Sequence, residues 1–165
     1  MTHQAYIAIG SNLGSTRDNC ENAINYINAH PKCVLKASSS FYKTEPVGIK
    51  GQNWFVNTTI LIETSLEPSK LLEYLLSIEE KMGRIRKEKW GERIIDLDIL
   101  FYDDLICDQP RLKIPHPEII NRRFVLTPLA EIAKDFIHPQ ENKPISTLLT
   151  ELKDDNKVQV ILESS

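Results

Sequence analysis

Cysteine is scarce in this chain: Cys20, Cys33 and Cys107 are the three among 165 residues. Their number is odd, their spacing is wide, and no CxxC occurs. This argues against a disulfide framework or a thiolate zinc site and points to a reducing cytoplasm. Long apolar runs are also missing. No stretch approaches the ~20 apolar residues of a membrane span. The N-terminus Met1-Thr2-His3-Gln4 has no basic region, and the apolar run at 5–9 is too short for a signal peptide. An excess of positive charge is lacking as well. The net charge is −3 and the pI about 5.8, which excludes a generally basic nucleic-acid or membrane binder. No P-loop and no GxGxxG is present. Gly10-Ser11-Asn12-Leu13-Gly14 carries glycine but lacks the Lys-Ser/Thr of a phosphate-binding loop.

What remains is ordinary globular material, 41% hydrophobic and 26% charged, without repeats or a Pro/Gly/Ser-rich linker. Residues 1–165 read as one domain with a real core. Strands are expected at 4–10, 34–42, 55–63, 94–102 and 157–162. A helix from Ser15-Thr16 to about Ala29 has apolar Ala23, Ile24 and Ile27 at helical spacing. A second starts at Pro68, carries Leu71, Leu72, Leu75, Leu76, Ile78 and Met82 as a stripe, and stops at Gly83. Residues 123–134 and 145–152 are also expected to be helical, the former despite Pro128. Residues 103–121 read as loop and short strand. The order β-α-β-β-α-β predicts an α+β fold: a ferredoxin-like core with C-terminal additions, in three α-β-α layers.

The sharpest chemical feature is Asp96-Leu97-Asp98 inside an apolar strand. Alternation puts the two carboxylates on one face and Ile95, Leu97 and Ile99 on the other. Such a pair either faces water or holds a hard cation; Mg²⁺ prefers oxygen ligands and keeps waters and phosphate oxygens in its shell. The preceding segment, 84–93, has five cationic side chains and two anionic ones, so it is locally +3 in a chain of −3. Acidic ligands beside guanidinium groups suit a polyphosphate better than a solvated loop. Trp90 in that segment reads equally as a packing residue. Downstream, His116 stands between Pro115 and Pro117, where it is either a phosphate donor or a plain loop residue. Arg122 and Arg123 follow at a helix start, and only one can readily face a site there. Phe55 and Asn57 share one face of their strand. A ring and an amide suit a flat hydrogen-bonding heterocycle, although a core ring and an edge amide is the plainer account of that pair alone.

The residues from Lys89-Trp90-Gly91-Glu92-Arg93 through Asp96-Leu97-Asp98-Ile99 resemble the signature of the 6-hydroxymethyl-7,8-dihydropterin pyrophosphokinase family. The likeness continues in residues 8–14, in the SSxYxTxPxG pattern of 39–48, in Phe55-Val56-Asn57, in Glu79 with residues 83–86, and in Pro115-His116 with Asn121-Arg122-Arg123-Phe124. It covers about residues 5–140. The resemblance implies an ATP-dependent diphosphokinase of folate biosynthesis, with ATP and 6-hydroxymethyl-7,8-dihydropterin as substrates and AMP as product. It implies two Mg²⁺ on Asp96 and Asp98, with Arg84 and Arg93 as catalytic residues. ATP would be bound by Glu79, Arg86, Lys89, Trp90, Ile99, His116 and Arg122. The pterin would stack between Phe55 and Phe124 and bond to Asn57 and to the chain around Thr44, Glu45 and Val47. Lys89 stands where an Arg is common, Pro117 where some members carry an aromatic, and Phe55 where some carry Tyr; Glu45 adds a negative charge. The expectation is a single pyrophosphokinase domain, cytoplasmic and monomeric, with neither nucleic-acid nor membrane partner. The competing readings are another Mg²⁺-dependent nucleotidyl or phosphoryl transferase on a ferredoxin-like fold, which would need a third acidic ligand, and an RNA-binding module, whose face Asp96 and Asp98 would spoil.

Overall fold

The computed structural model describes residues 1–44, 53–83, 94–153 and the backbone of 158–160. Its strands are β1 (His3–Ser11), β2 (Cys33–Ser38), β3 (Tyr42–Thr44), β4 (Phe55–Thr64), β5 (Asp96–Tyr102), β6 (Cys107–Gln109), β7 (Leu112–Ile114) and β8 (Val158–Val160). Its helices are α1 (Thr16–Ala29), α2 (Pro68–Lys81), α3 (Arg123–Ala133) and α4 (Ile145–Glu151). Six strands form one sheet in the order β5-β1-β4-β3-β8, with β2 also on β4. Every pairing is antiparallel. β6 and β7 make a separate hairpin within the region expected to be loop and short strand.

The helices divide between the two sheet faces. Ile7, Ile9, Ile60, Ile62, Leu97 and Ile99 pack with Ala23 and Ile27 of α1 and with Leu71, Leu75 and Ile78 of α2. Tyr6, Leu61 and Phe101 pack on the other face with Leu126 and Leu129 of α3 and with Ile145 of α4. Burying one such side chain fully contributes about 1.5–3 kcal/mol. The α2 stripe has its expected bounds: Pro68 opens the helix and Gly83, at φ +86°, follows its end. The expected Ser15 cap is different in kind. Its side chain caps nothing, and its carbonyl accepts the Asn19 N–H at 2.8 Å. Asn12, fully buried, donates to the Asn53 carbonyl just before β4, a structural role for the glycine-bearing loop.

Two irregularities were not expected. The single strand over 34–42 is broken into β2 and β3, both paired to β4. Between them Ser39 Oγ accepts the Thr59 N–H at 3.0 Å and pairs with the Thr58 hydroxyl at 2.9 Å. A side chain thus replaces a ladder carbonyl there. In β5, Tyr6 faces Phe101 while Ile7 faces Ile99, so Leu100 is one residue too many. This bulge changes the phase of alternation. Asp96 and Asp98 share a face before it, and Phe101 reaches that same face after it, under α3.

His138 closes the turn between α3 and α4. It is 3% exposed. Its Nδ1 accepts the backbone N–H groups of Gln140 and Glu141, each at 3.1 Å. Its ring meets the Phe101 ring edge-on at 5.3 Å. An imidazole that accepts twice through Nδ1 must be neutral, and burial holds it below its ordinary 6.5. The unfolded chain therefore binds this proton more readily. The stabilisation is complete above pH 6.5 and is lost as pH falls from there through the lower native value. His138→Gln is expected to cost about 1–2 kcal/mol at pH 7.5 and to shrink the stability lost between pH 7.5 and 5. Urea unfolding at both pH values checks this; an undiminished loss would remove His138 from the account.

Candidate active site

A backbone ladder joins the two halves of the site. Asp96 of β5 lies opposite Gly10 of β1, Gly10 opposite Asn57 of β4, and Asn57 opposite Tyr42 of β3. Directly paired residues share a face. Asp98 lies opposite Ala8 in the parallel row. Strands are about 4.8 Å apart, so the carboxylate row and the amide row stand roughly 10 Å apart across β1. Gly10 is what keeps the middle strand flat. A Cβ on it would lie 2.6 Å from Asn57 Oδ1 and 3.8 Å from Phe55 Cδ1. Asn57 is 8% exposed, and its Nδ2 donates to Thr44 Oγ1 at 2.5 Å. Its carboxamide is thereby fixed, with Oδ1 over Gly10. Phe55, half-buried, is two residues back on the same face.

β5 is an edge strand of the sheet, and its Leu97 N–H points away from β1. Glu79 of α2, 2% exposed, accepts that N–H through Oε2 at 2.8 Å. A buried carboxylate thus fixes the backbone between the two aspartates. Asp96 and Asp98 are half-buried. Ile99 is 6% exposed in the α1/α2 core, on the face away from the aspartates.

The segment after β7 is tied to β5 by the His116 N–H, which donates to the Leu100 carbonyl at 3.1 Å. His116 Nδ1 accepts the Glu118 N–H at 3.1 Å, which leaves Nε2 to carry the proton. Burial first, then the Arg122 charge, lower its pKa below the ordinary value, while Glu118 and Asp96 pull the other way. His116 therefore lies within the fields of Arg122 and Asp96. Of the two arginines, Arg123 is turned away: its guanidinium donates to the Leu152 carbonyl at 3.0 Å. The Arg122 guanidinium lies 5.6 Å from the Phe124 ring centre. Phe124 sits at the start of α3, on the margin of the second core. Arg84, Arg86, Lys89, Trp90 and Arg93, and also Glu45 and Val47, lie outside the described residues. The residues flanking the arginine segment are neighbours: a Cβ on Gly83 would lie 3.7 Å from Ile94 Cδ1.

The donor set on β5 suits a hard cation, being two carboxylates at i and i+2 on one face. Among the described residues no group of three or more His, Cys, Asp or Glu could enclose an ion. A cation on Asp96 and Asp98 would complete its shell from water or substrate oxygens, the habit of Mg²⁺. Two contributors lie beyond the residues assigned above. A glycine inside a strand signals a close approach, the signal that Gly10 offers; Glu131, which bonds to Ser40 just before β3, offers none.

Fold and face together define the class: a mixed domain of helices on an antiparallel sheet, with a carboxylate pair and a ring-and-amide corner on one sheet face. The family model of 7,8-dihydro-6-hydroxymethylpterin-pyrophosphokinase (HPPK) matches residues 6–134. A Haemophilus influenzae 2-amino-4-hydroxy-6-hydroxymethyldihydropteridine pyrophosphokinase is 45% identical over 148 residues, covering 90% of this chain and 89% of the relative. The Synechocystis protein of that name is 41% identical over 150 residues, 91% of this chain and 76% of its own. This chain belongs to the 7,8-dihydro-6-hydroxymethylpterin-pyrophosphokinase family. A solved Plasmodium falciparum HPPK-DHPS with pteroate has the same fold at TM-score 0.76 and 16% identity, over 92% of this chain. The present chain spans 42% of that longer protein.

The Gly10 contact carries a direct test. Gly10→Ala is expected to push the Asn57 carboxamide off Thr44 and to cost about 1–3 kcal/mol in overpacking. NMR of the Asn57 side-chain amide should show a shifted resonance and faster hydrogen exchange. An unchanged amide would mean that Asn57 does not occupy that space.

Proposed function

We propose that this protein transfers the β,γ-pyrophosphoryl group of ATP to the hydroxymethyl oxygen of 6-hydroxymethyl-7,8-dihydropterin, a step of folate biosynthesis. The hydroxymethyl oxygen bonds to the β-phosphorus, the bond from that phosphorus to the α,β-bridging oxygen breaks, AMP leaves, and the hydroxyl proton passes to solvent. The observation that carries this reading is the Asp96–Gly10–Asn57 row. It sets a phosphate-binding half and a heterocycle-binding half about 10 Å apart on one rigid ladder.

Phe55 and Phe124 are the two rings for the pterin, with the Asn57 amide and Thr44, Glu45 and Val47 along its edge. Asp96 and Asp98 would hold two Mg²⁺, which would supply charge neutralisation for the triphosphate. His116, kept neutral by burial, donates from Nε2 to a phosphate oxygen, and Arg122 supplies positive charge beside it. Arg84 and Arg93, with Arg86, Lys89 and Trp90, take the phosphates, an assignment supported by their place in the sequence pattern. Glu79 and Ile99 support the nucleotide side through β5. Phosphoryl-type transfer needs alignment and neutralised charge more than covalent help, and these residues supply both. The strand order, with β2 on the far side of β4 from β1, supports a ferredoxin-like βαββαβ core with C-terminal additions in three layers. A cytoplasmic monomer is part of the proposal, and three free cysteines suit a reducing compartment.

Incubation with Mg²⁺, ATP and 6-hydroxymethyl-7,8-dihydropterin is expected to release AMP and to form the pterin diphosphate. ADP, or AMP that appears without pterin, would overturn the reading. Asp98→Ala should lower kcat by about 10³-fold, the equivalent of several kcal/mol, with an unchanged circular dichroism spectrum. Full turnover in that variant would take the carboxylate pair out of the mechanism.

A further inference from the structure

The segment from Ser39 to Thr44 has more hydroxyl groups than a short strand needs, and each is engaged. Ser39 bonds to β4. Thr44 accepts the Asn57 amide. Between them, Ser40 and Tyr42 both turn to one carboxylate, Glu131 of α3. The Ser40 N–H lies 3.0 Å from each carboxylate oxygen, the Ser40 hydroxyl donates to Oε2 at 3.1 Å, and the Tyr42 hydroxyl donates to Oε1 at 2.5 Å. Burial, followed by this bond and the Glu131 charge, raises the Tyr42 hydroxyl above its ordinary pKa, so it remains a donor. Three donors converging on one group require an acceptor-only side chain. An amide would bring an NH₂ among them.

The clamp joins the two walls of the pterin slot. Tyr42 is two residues from Thr44 on β3 and directly opposite Asn57. Glu131 is seven residues, two helical turns, beyond Phe124 on α3. Residues so spaced lie on one side of a helix, about 10 Å apart along its axis. One wall carries Phe55, Asn57 and Thr44; the other carries Phe124. Glu131 is itself exposed, so it adds little to the core. α3 is held there without it by Leu126 and Leu129, and β3 is held by its ladder to β4. What the carboxylate fixes is the relation between these two elements.

We infer that Glu131 is a positioning residue that sets the width of the pterin slot by clamping β3 to α3 through Ser40 and Tyr42. The inference rests on the placement of the pterin proposed above. Its test compares Glu131→Gln, Tyr42→Phe and Asn57→Ala in the full-length protein. The readouts are KM for 6-hydroxymethyl-7,8-dihydropterin, KM for ATP, kcat, the Kd of Mg²⁺·α,β-methylene-ATP, and the thermal midpoint. Glu131→Gln and Tyr42→Phe should each raise the pterin KM roughly three- to tenfold, with the nucleotide constants and kcat within about twofold. The double variant should be no worse than the weaker-binding single, since both act through one clamp. If Asn57→Ala raises the pterin KM and Glu131→Gln does not, the clamp is overturned and the pterin placement stands. If Asn57→Ala also leaves the pterin KM unchanged, the placement fails and the clamp with it. If Glu131→Gln lowers the thermal midpoint and moves pterin and nucleotide constants alike, Glu131 is merely structural and the inference is overturned.

Discussion

Asp96, Gly10 and Asn57 are held opposite one another by backbone hydrogen bonds across three strands, and the rest of the molecule is arranged around that ladder. A ladder fixes distance without depending on side-chain rotamers, which long, flexible binding residues could not do. It works only if nothing stands in the middle, and Gly10 meets that condition. It also works only if the sheet is rigid, and α1 and α2 supply a core against β1, β4 and β5 on the opposite face. α3 and α4 cover the end of the aspartate-bearing face that carries Tyr6 and Phe101. One face is thereby divided into a half packed under helices and a half that carries the carboxylate pair.

That division depends on the bulge at Leu100. Strict alternation would send Phe101 to the opposite face from Asp96 and Asp98. With one residue added, the aspartates keep their face and Phe101 still reaches the core beneath α3. A hydrophobic strand can then carry two carboxylates at one end without weakening the packing at the other. His138 completes the arrangement by closing the helical layer against Phe101 with a neutral ring.

Much of this was legible in the sequence, and the reasons are specific. The α2 stripe has the helical period, a proline at its start and a glycine at its end, so local chemistry and burial agree. Asp96-Leu97-Asp98 was legible because alternation alone puts both carboxylates on one face, and Phe55 with Asn57 for the same reason. The close approach at Gly10 is not legible locally, because it depends on a partner 47 positions later that only pairing reveals. The break at Ser39 was hidden because a serine side chain imitates a ladder carbonyl, and nothing in composition distinguishes that from a continuous strand. Glu131 was invisible for the most basic reason. It is an exposed glutamate on a helix, and its partner Tyr42 is separated from it by 89 positions. Interactions of long sequence separation that involve common surface residues leave no local pattern.

The bond from Glu79 to the Leu97 N–H has a mechanical corollary. Glu79 lies one helical turn before Gly83, the residue at which the chain leaves α2. The same buried contact therefore ties the aspartate strand to that point of departure. One bond of 2.8 Å, made by a carboxylate that is 2% exposed, thus joins the edge of the sheet to the last turn of a helix and leaves little slack between them.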